Sequence, residues 1–210
     1  MKLSVLRRKQ RSFRNLLRRR DTQGLRESLS LNLSRWGMRR VDYLLLRCRA
    51  PGEEIPAELP EVELSSLTPE DIPACAGIEG KSPDVFRRRL ESGDAGIGIR
   101  LRGSLVGYAW LNRREAIIPE MNVSMPLEEN AVYLYNGVIR EDLRLRGLYG
   151  FFLLHLLRDE TARGISVYAA VDPRNRKSLG THLGAGFEPV GRLRQTRIGS
   201  KIVFGPTWPT

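Results

Sequence analysis

Val138-Ile139-Arg140-Glu141-Asp142-Leu143-Arg144-Leu145-Arg146-Gly147-Leu148-Tyr149-Gly150 passes from an apolar run, through a basic turn, into a second and longer apolar run. The first run, Ala131 to Ile139, reads as a strand, and the second, Gly147 to Arg163, as a largely apolar helix. A strand that opens through a basic, glycine-containing turn directly into a helix makes an anion site. The first backbone N–H groups of a helix have no partner within it, and the helix dipole is positive at that end. Gly147 allows close approach of backbone to a phosphate, and Arg144 and Arg146 add charge-assisted bonds. A turn with solvated arginines has the same composition, so the reading needs support from elsewhere in the chain.

Support comes downstream. A strand from Ile165 to Val171 leads into Val171-Asp172-Pro173-Arg174-Asn175-Arg176-Lys177-Ser178, and then through His182 to Gly184-Ala185-Gly186-Phe187. Arg144-x-x-Gly147, followed about thirty residues on by Asn175-x-x-Ser178 and Gly186-Phe187, resembles the two signature motifs of the GNAT superfamily of N-acetyltransferases. The resemblance spans about residues 60 to 205, the earlier hairpin Gly107-Tyr108-Ala109-Trp110 included. It implies that Arg144, Arg146, Gly147, Leu148, Tyr149 and Gly150 surround the pyrophosphate of an acyl-coenzyme A, with acetyl-coenzyme A the expected cosubstrate. It implies too that backbone groups of Gly137, Val138 and Ile139 hold the pantetheine arm and that Asn175 meets it from the far side. Where the family signature ends in Gly or Ala, this chain has Tyr149. Seven residues after the motif asparagine, where many relatives have a tyrosine that protonates the departing thiolate, it has His182. Such a transfer needs a neutral amine, an amide to steady the oxyanion and that proton, and requires no metal.

The remaining elements read as mixed α/β. A strand at Val62 to Leu67 runs into Thr68-Pro69-Glu70-Asp71, a helix start, and Ser82-Pro83-Asp84 repeats the signature before a helix that ends near Gly93. Ala95 to Leu101 and Leu105 to Leu111 form a hairpin about Arg102-Gly103-Ser104. Residues 114 to 129, with Pro119 and Pro126, read as an irregular excursion. Asn175 to Ala185 is a short helix closed by Gly186, and two last strands flank Gly199-Ser200. The expected architecture is a GNAT-like mixed central sheet flanked by helices, over residues 62 to 205, with a basic helical arm at 1 to 50 and a turn-rich linker at 51 to 61.

The charge supports the arm. Of the formal net +11, residues 1 to 50 contribute +12, from 15 Lys and Arg against Asp21, Glu27 and Asp42, and the rest of the chain has 20 against 21. Leu3, Leu6, Phe13, Leu16 and Leu17 fall at roughly helical spacing among the arginines, as in a basic amphipathic helix. Val41, Tyr43, Leu44, Leu45 and Leu46 are too few to decide between a short strand and a helical turn. An anionic membrane surface suits the arm better than nucleic acid, because aromatic residues for base stacking are sparse there. Two cysteines, Cys48 and Cys75, make no disulfide framework and no metal-ligand spacing. With no signal-peptide pattern either, the expected location is the cytoplasm, peripheral to a membrane.

The acceptor is expected to be a small-molecule or peptide amine. Trp110, Asn112, Tyr135 and Asn136, on central strands, are the candidates to border its cleft, with Glu115 and Glu120 as loop acids. Two other functions fit the same residues: a coenzyme-A-binding regulatory protein without turnover, and a nucleic-acid-binding protein acting through the arm. Oligomeric state and acyl length are not encoded in any motif.

Overall fold

The computed structural model describes residues 38–52, 59, 61–144, 146–198 and 201–204. They belong to two compact units. One is Asp42–Leu193; of the other, residues 38–41, 194–198 and 201–204 are described. The amphipathic helix expected before residue 38 lies outside the described residues.

The strands are β1 (Met38–Cys48), β2 (Val62–Ser66), β3 (Ala95–Leu101), β4 (Ser104–Asn112), β5 (Glu115–Ile118), β6 (Val123–Pro126), β7 (Ala131–Ile139), β8 (Ser166–Val171), β9 (Glu188–Ile198) and β10 (Lys201–Phe204). The helices are α1 (Ile72–Glu79), α2 (Pro83–Glu91), α3 (Leu148–Ala162) and α4 (Arg176–Gly184). In the larger unit the sheet order is β9-β1-β8-β7-β4-β3-β2; β1 with β8, β7 with β4, β4 with β3 and β3 with β2 pair antiparallel, and β7 with β8 parallel. In the smaller unit the end of β9 pairs antiparallel with β10, Ile198 opposite Lys201.

Local chemistry sets the element boundaries. Thr68 N–H donates to the Asp71 carboxylate, 3.1 Å, in front of α1, and Ser82 Oγ accepts from Asp84 N–H, 3.3 Å, at the start of α2. The β3–β4 hairpin turns through Arg102 and Gly103, both at positive φ (53° and 77°), the geometry that a two-residue turn between twisted strands demands. β4 is covered on both faces. Tyr108 and Trp110 pack with Leu67, Ile72, Cys75 and Phe86, while Ala109 and Leu111 point the other way, into a core shared with Phe152, Leu153 and Leu157 of α3.

Two expectations are corrected. The run at Val41 to Leu46 belongs to β1, and its residues 44 to 48 pair with β8 from Leu44↔Val171 to Cys48↔Val167. The arm and the sheet domain therefore do not divide at residue 50. Leu45, Leu46 and Cys48 are almost wholly buried, so the continuous apolar run is that of a strand covered on both faces. Residues 114 to 129 are likewise not irregular: β5 and β6 form a separate two-stranded hairpin. Pro119 lies in its turn and Pro126 at its last pair, opposite Glu115, so neither interrupts the ladder from within.

Candidate functional site

β7 carries one residue too many for its partner. Gly107 pairs with Ile139 and Tyr108 with Val138, but Trp110 pairs with Tyr135, so Asn136 and Gly137 together stand opposite Ala109. Asn136 takes up the bulge with φ 46°, in the left-handed region. On its other edge β7 pairs with β8 only from Ala131↔Ser166 to Leu134↔Ala169. Beyond that point the two strands continue with no ladder between them, and a cavity of about 960 Å³ opens where they part.

This slot brings together most of the residues the motifs named. Gly137, Val138 and Ile139 line it from β7, Asn175 from the turn before α4, and Arg144, Gly147, Leu148, Tyr149 and Gly150 from the turn and first residues of α3. Gly147 precedes α3 with φ 79°, a conformation other residues adopt only under strain. The first bond within α3 runs from Phe151 N–H to Gly147 O, so among the described residues no carbonyl of the helix itself takes the N–H groups of Leu148, Tyr149 and Gly150. Arg144 is anchored by its Nε to Ile139 O, 3.2 Å, and no ion pair among the described residues occupies it. Arg146 is exposed and does not line the slot. Asn175 Oδ1 accepts from Ser178 N–H, 3.2 Å, so it caps α4 while facing the slot.

His182 lies inside the slot but is buried, 4% exposed, against the rings of Tyr149 and Phe187. Its Nδ1 is 2.8 Å from Ser178 O. A carbonyl only accepts, so Nδ1 holds the proton of the neutral ring and Nε2 holds a lone pair. Burial lowers the imidazole pKa below its ordinary value, outweighing the bond to Ser178. A proton donor at Nε2 would need the doubly protonated ring, which this setting disfavours. Tyr149, partly buried beside it, lays its phenol over Gly137, where a Cβ would collide with the ring and its hydroxyl. Tyr149 narrows the slot without closing it, and burial raises its pKa, so it keeps its proton at neutral pH.

A second cavity, of about 1100 Å³, lies between α2, the β5–β6 hairpin and β7, and meets the first at Glu79, Tyr135 and Asn136. Glu79, at the end of α1, accepts from Tyr108 Oη at 2.6 Å and Asn136 Nδ2 at 3.2 Å, and pairs with Lys81 at 2.8 Å. Burial alone would raise its pKa, but these partners outweigh burial and hold the carboxyl below its ordinary value. Asn136 Oδ1 is buried at this junction with no partner.

Of the four acceptor-cleft candidates, Tyr135 and Asn136 line the junction. Asn112 reaches the second cavity but is occupied structurally: Nδ2 donates to Asp94 at 2.8 Å, and Oδ1 accepts from Arg114 and Glu115 N–H. Trp110 is core, 1% exposed, and does not line the cavity. Glu115 and Glu120 do line it. Sequence reading missed Glu79 and Arg89, because a charged residue near a helix end looks solvated until the strands opposite it are known.

The fold is that of solved GNAT-family acetyltransferases. The chain is similar to a GNAT-family structure from Novosphingobium aromaticivorans (TM-score 0.54, 16% identity, 76% of this chain and 66% of that one). It is similar to a GNAT-family acetyltransferase from Colwellia psychrerythraea (TM-score 0.54, 14%, 77% and 57%). A third similarity is to the glucosamine N-acetyltransferase region of a fungal multi-domain β-N-acetylglucosaminidase (TM-score 0.58, 14%, 83% and 23%). The chain thus spans two thirds or less of the length of each of these three structures. No protein-family model matches the sequence, and no curated protein is matched either.

Proposed function

We propose that the chain is an acyl-coenzyme-A-dependent N-acyltransferase that moves an acyl group, acetyl by preference, directly to an amine. The observation that carries this reading is the slot between β7 and β8. It offers unpaired strand backbone for an extended amide-bearing arm and ends at a helix N-terminus with Arg144 for a pyrophosphate. A bound acyl thioester supplies the electrophile: the amine, made neutral by giving a proton to solvent water, bonds through nitrogen to the carbonyl carbon and passes a second proton to water, the carbon–sulfur bond breaks, and the sulfur leaves with its electron pair and gains a proton. Backbone N–H groups of the bulge at Asn136 and Gly137 are assigned as the donors for the developing oxyanion. Glu79, ionised at the junction, draws a cationic amine to the mouth of the slot. The proton for the thiolate is assigned to Tyr149, since the single proton of neutral His182 is held by Ser178. His182 then acts as a positioning residue behind the Tyr149 ring.

Gly147→Glu tests the site. It places a carboxylate and a strained backbone where the phosphates would lie, and is expected to abolish coenzyme A binding in calorimetry while leaving the circular dichroism spectrum unchanged. A folded variant that binds as tightly as the parent would refute the pyrophosphate site. The replacement of the signature glycine or alanine by Tyr149 favours a second reading, a coenzyme-binding protein without turnover; binding with no transfer to any amine would establish it.

A further inference from the structure

Building on the acyltransferase reading, we propose that the acceptor is a small amine that also bears a carboxylate, such as a free amino acid, and that Arg89 of α2 binds this carboxylate. Arg89 lines the second cavity, with its guanidinium carbon 5.1 Å from the Tyr135 ring centre, 5.3 Å from that of Trp110 and 5.7 Å from that of Phe86. The faces of three rings attract the charge but offer its N–H groups no lone pair, and the Tyr135 hydroxyl is bonded to Asp94. Its Nη1 is buried with no hydrogen-bond partner, and no carboxylate among the described residues pairs with it. A buried polar group left in this state is costly, so a site that holds one fixed fits a ligand that completes it.

The neighbours cannot complete it from within. Both oxygens of Asp94 are taken, one by Asn112 and one by the Tyr135 hydroxyl. The other cations lining the cavity are less suited to a ligand: Lys81 is paired with Glu79, Arg114 donates to Ser92 O, and Arg88 is exposed. A guanidinium set among three aromatic rings has few orientations open to it, and its planar fork matches the two oxygens of a carboxylate. The spacing sets the size of the ligand. Tyr135 lies both beside Arg89 and at the junction with the slot, so a carboxylate on Arg89 and an amine at the junction would flank this one side chain, which suits a small acceptor.

The test uses the whole chain with acetyl-coenzyme A and matched pairs of acceptors, free amino acids and their carboxamides, in the parent, Arg89→Met and Arg89→Lys. The parent is expected to use the acids with kcat/KM about 100-fold above the amides, since a site built for a charged hydrogen-bonding group rejects ligands that leave it unpaired. Arg89→Met should raise KM for the acids by a similar factor, change their kcat little, and leave the amides within about twofold. Arg89→Lys should recover part of the preference. Equal use of acids and amides by the parent, or an equal loss on both classes in Arg89→Met, would overturn the proposal and leave Arg89 a packing residue. Calorimetry with the amino acids alone separates this result from failure of the acyltransferase reading. Saturable binding that disappears in Arg89→Met supports the carboxylate site even if coenzyme A does not bind, and no binding together with no acid preference rejects it.

Discussion

At the scale of single residues, the function proposed above gives the thiolate proton to Tyr149 and not to His182. Burial lowers the histidine and raises the tyrosine, so between about pH 7 and pH 9 the phenol holds a proton and the imidazole is mostly neutral. If Tyr149 protonates the thiolate, kcat should not fall as pH rises through that range. A histidine acid would lose activity as pH climbs past a value below 6.5. Tyr149→Phe is expected to cost tenfold or more in kcat, with coenzyme A affinity nearly unchanged, and stopped-time assays across pH would check both statements. A rate that falls from pH 6 upward would return the proton to His182. The sequence displayed both residues and their unusual places in the motifs. It could not display the Nδ1–H bond to Ser178 O, on which the assignment turns, because that depends on a side-chain rotamer.

At the scale of elements, legibility followed the range of the interactions involved. The starts of α1, α2 and α4 and the β3–β4 turn were readable because Thr68, Ser82, Asn175 and Gly103 act on backbone within a few residues of themselves. β1 was not readable, since its neighbour β8 lies more than a hundred residues away and neither strand alternates in polarity. The β5–β6 hairpin was hidden by two prolines that the fold places where no ladder bond is lost. The parting of β7 from β8 was equally hidden, although the resemblance pointed to its walls. β1 carries stability in proportion to its burial: Leu46, fully buried, is expected to cost about 2–5 kcal/mol when replaced by alanine, measured by denaturant unfolding. A loss below about 1 kcal/mol would mean that β1 is not part of the cooperative sheet.

At the scale of the whole molecule, charge and fold divide the chain at different places. Residues 1 to 37 contain 11 Lys and Arg against Asp21 and Glu27, while β1 begins at Met38. We propose that this segment holds the protein to an anionic membrane surface, at about 1 kcal/mol per basic residue near the lipid. Full-length protein should pellet with anionic but not neutral vesicles at low salt, and a chain starting at residue 38 should stay in solution. Equal behaviour of the two would end the proposal, and salt-sensitive retention of RNA instead would assign the arm to nucleic acid. Cutting at residue 50 would confuse the result by removing β1. The position of that strand also bears on how the chain is made. Leu46 leaves the ribosome 123 residues ahead of its partner Ala169, a delay of roughly 6–25 s at ordinary rates of synthesis. Through that interval an apolar run from Leu44 to Leu46 waits without its neighbouring strand, which makes it the segment on which a nascent-chain chaperone would act.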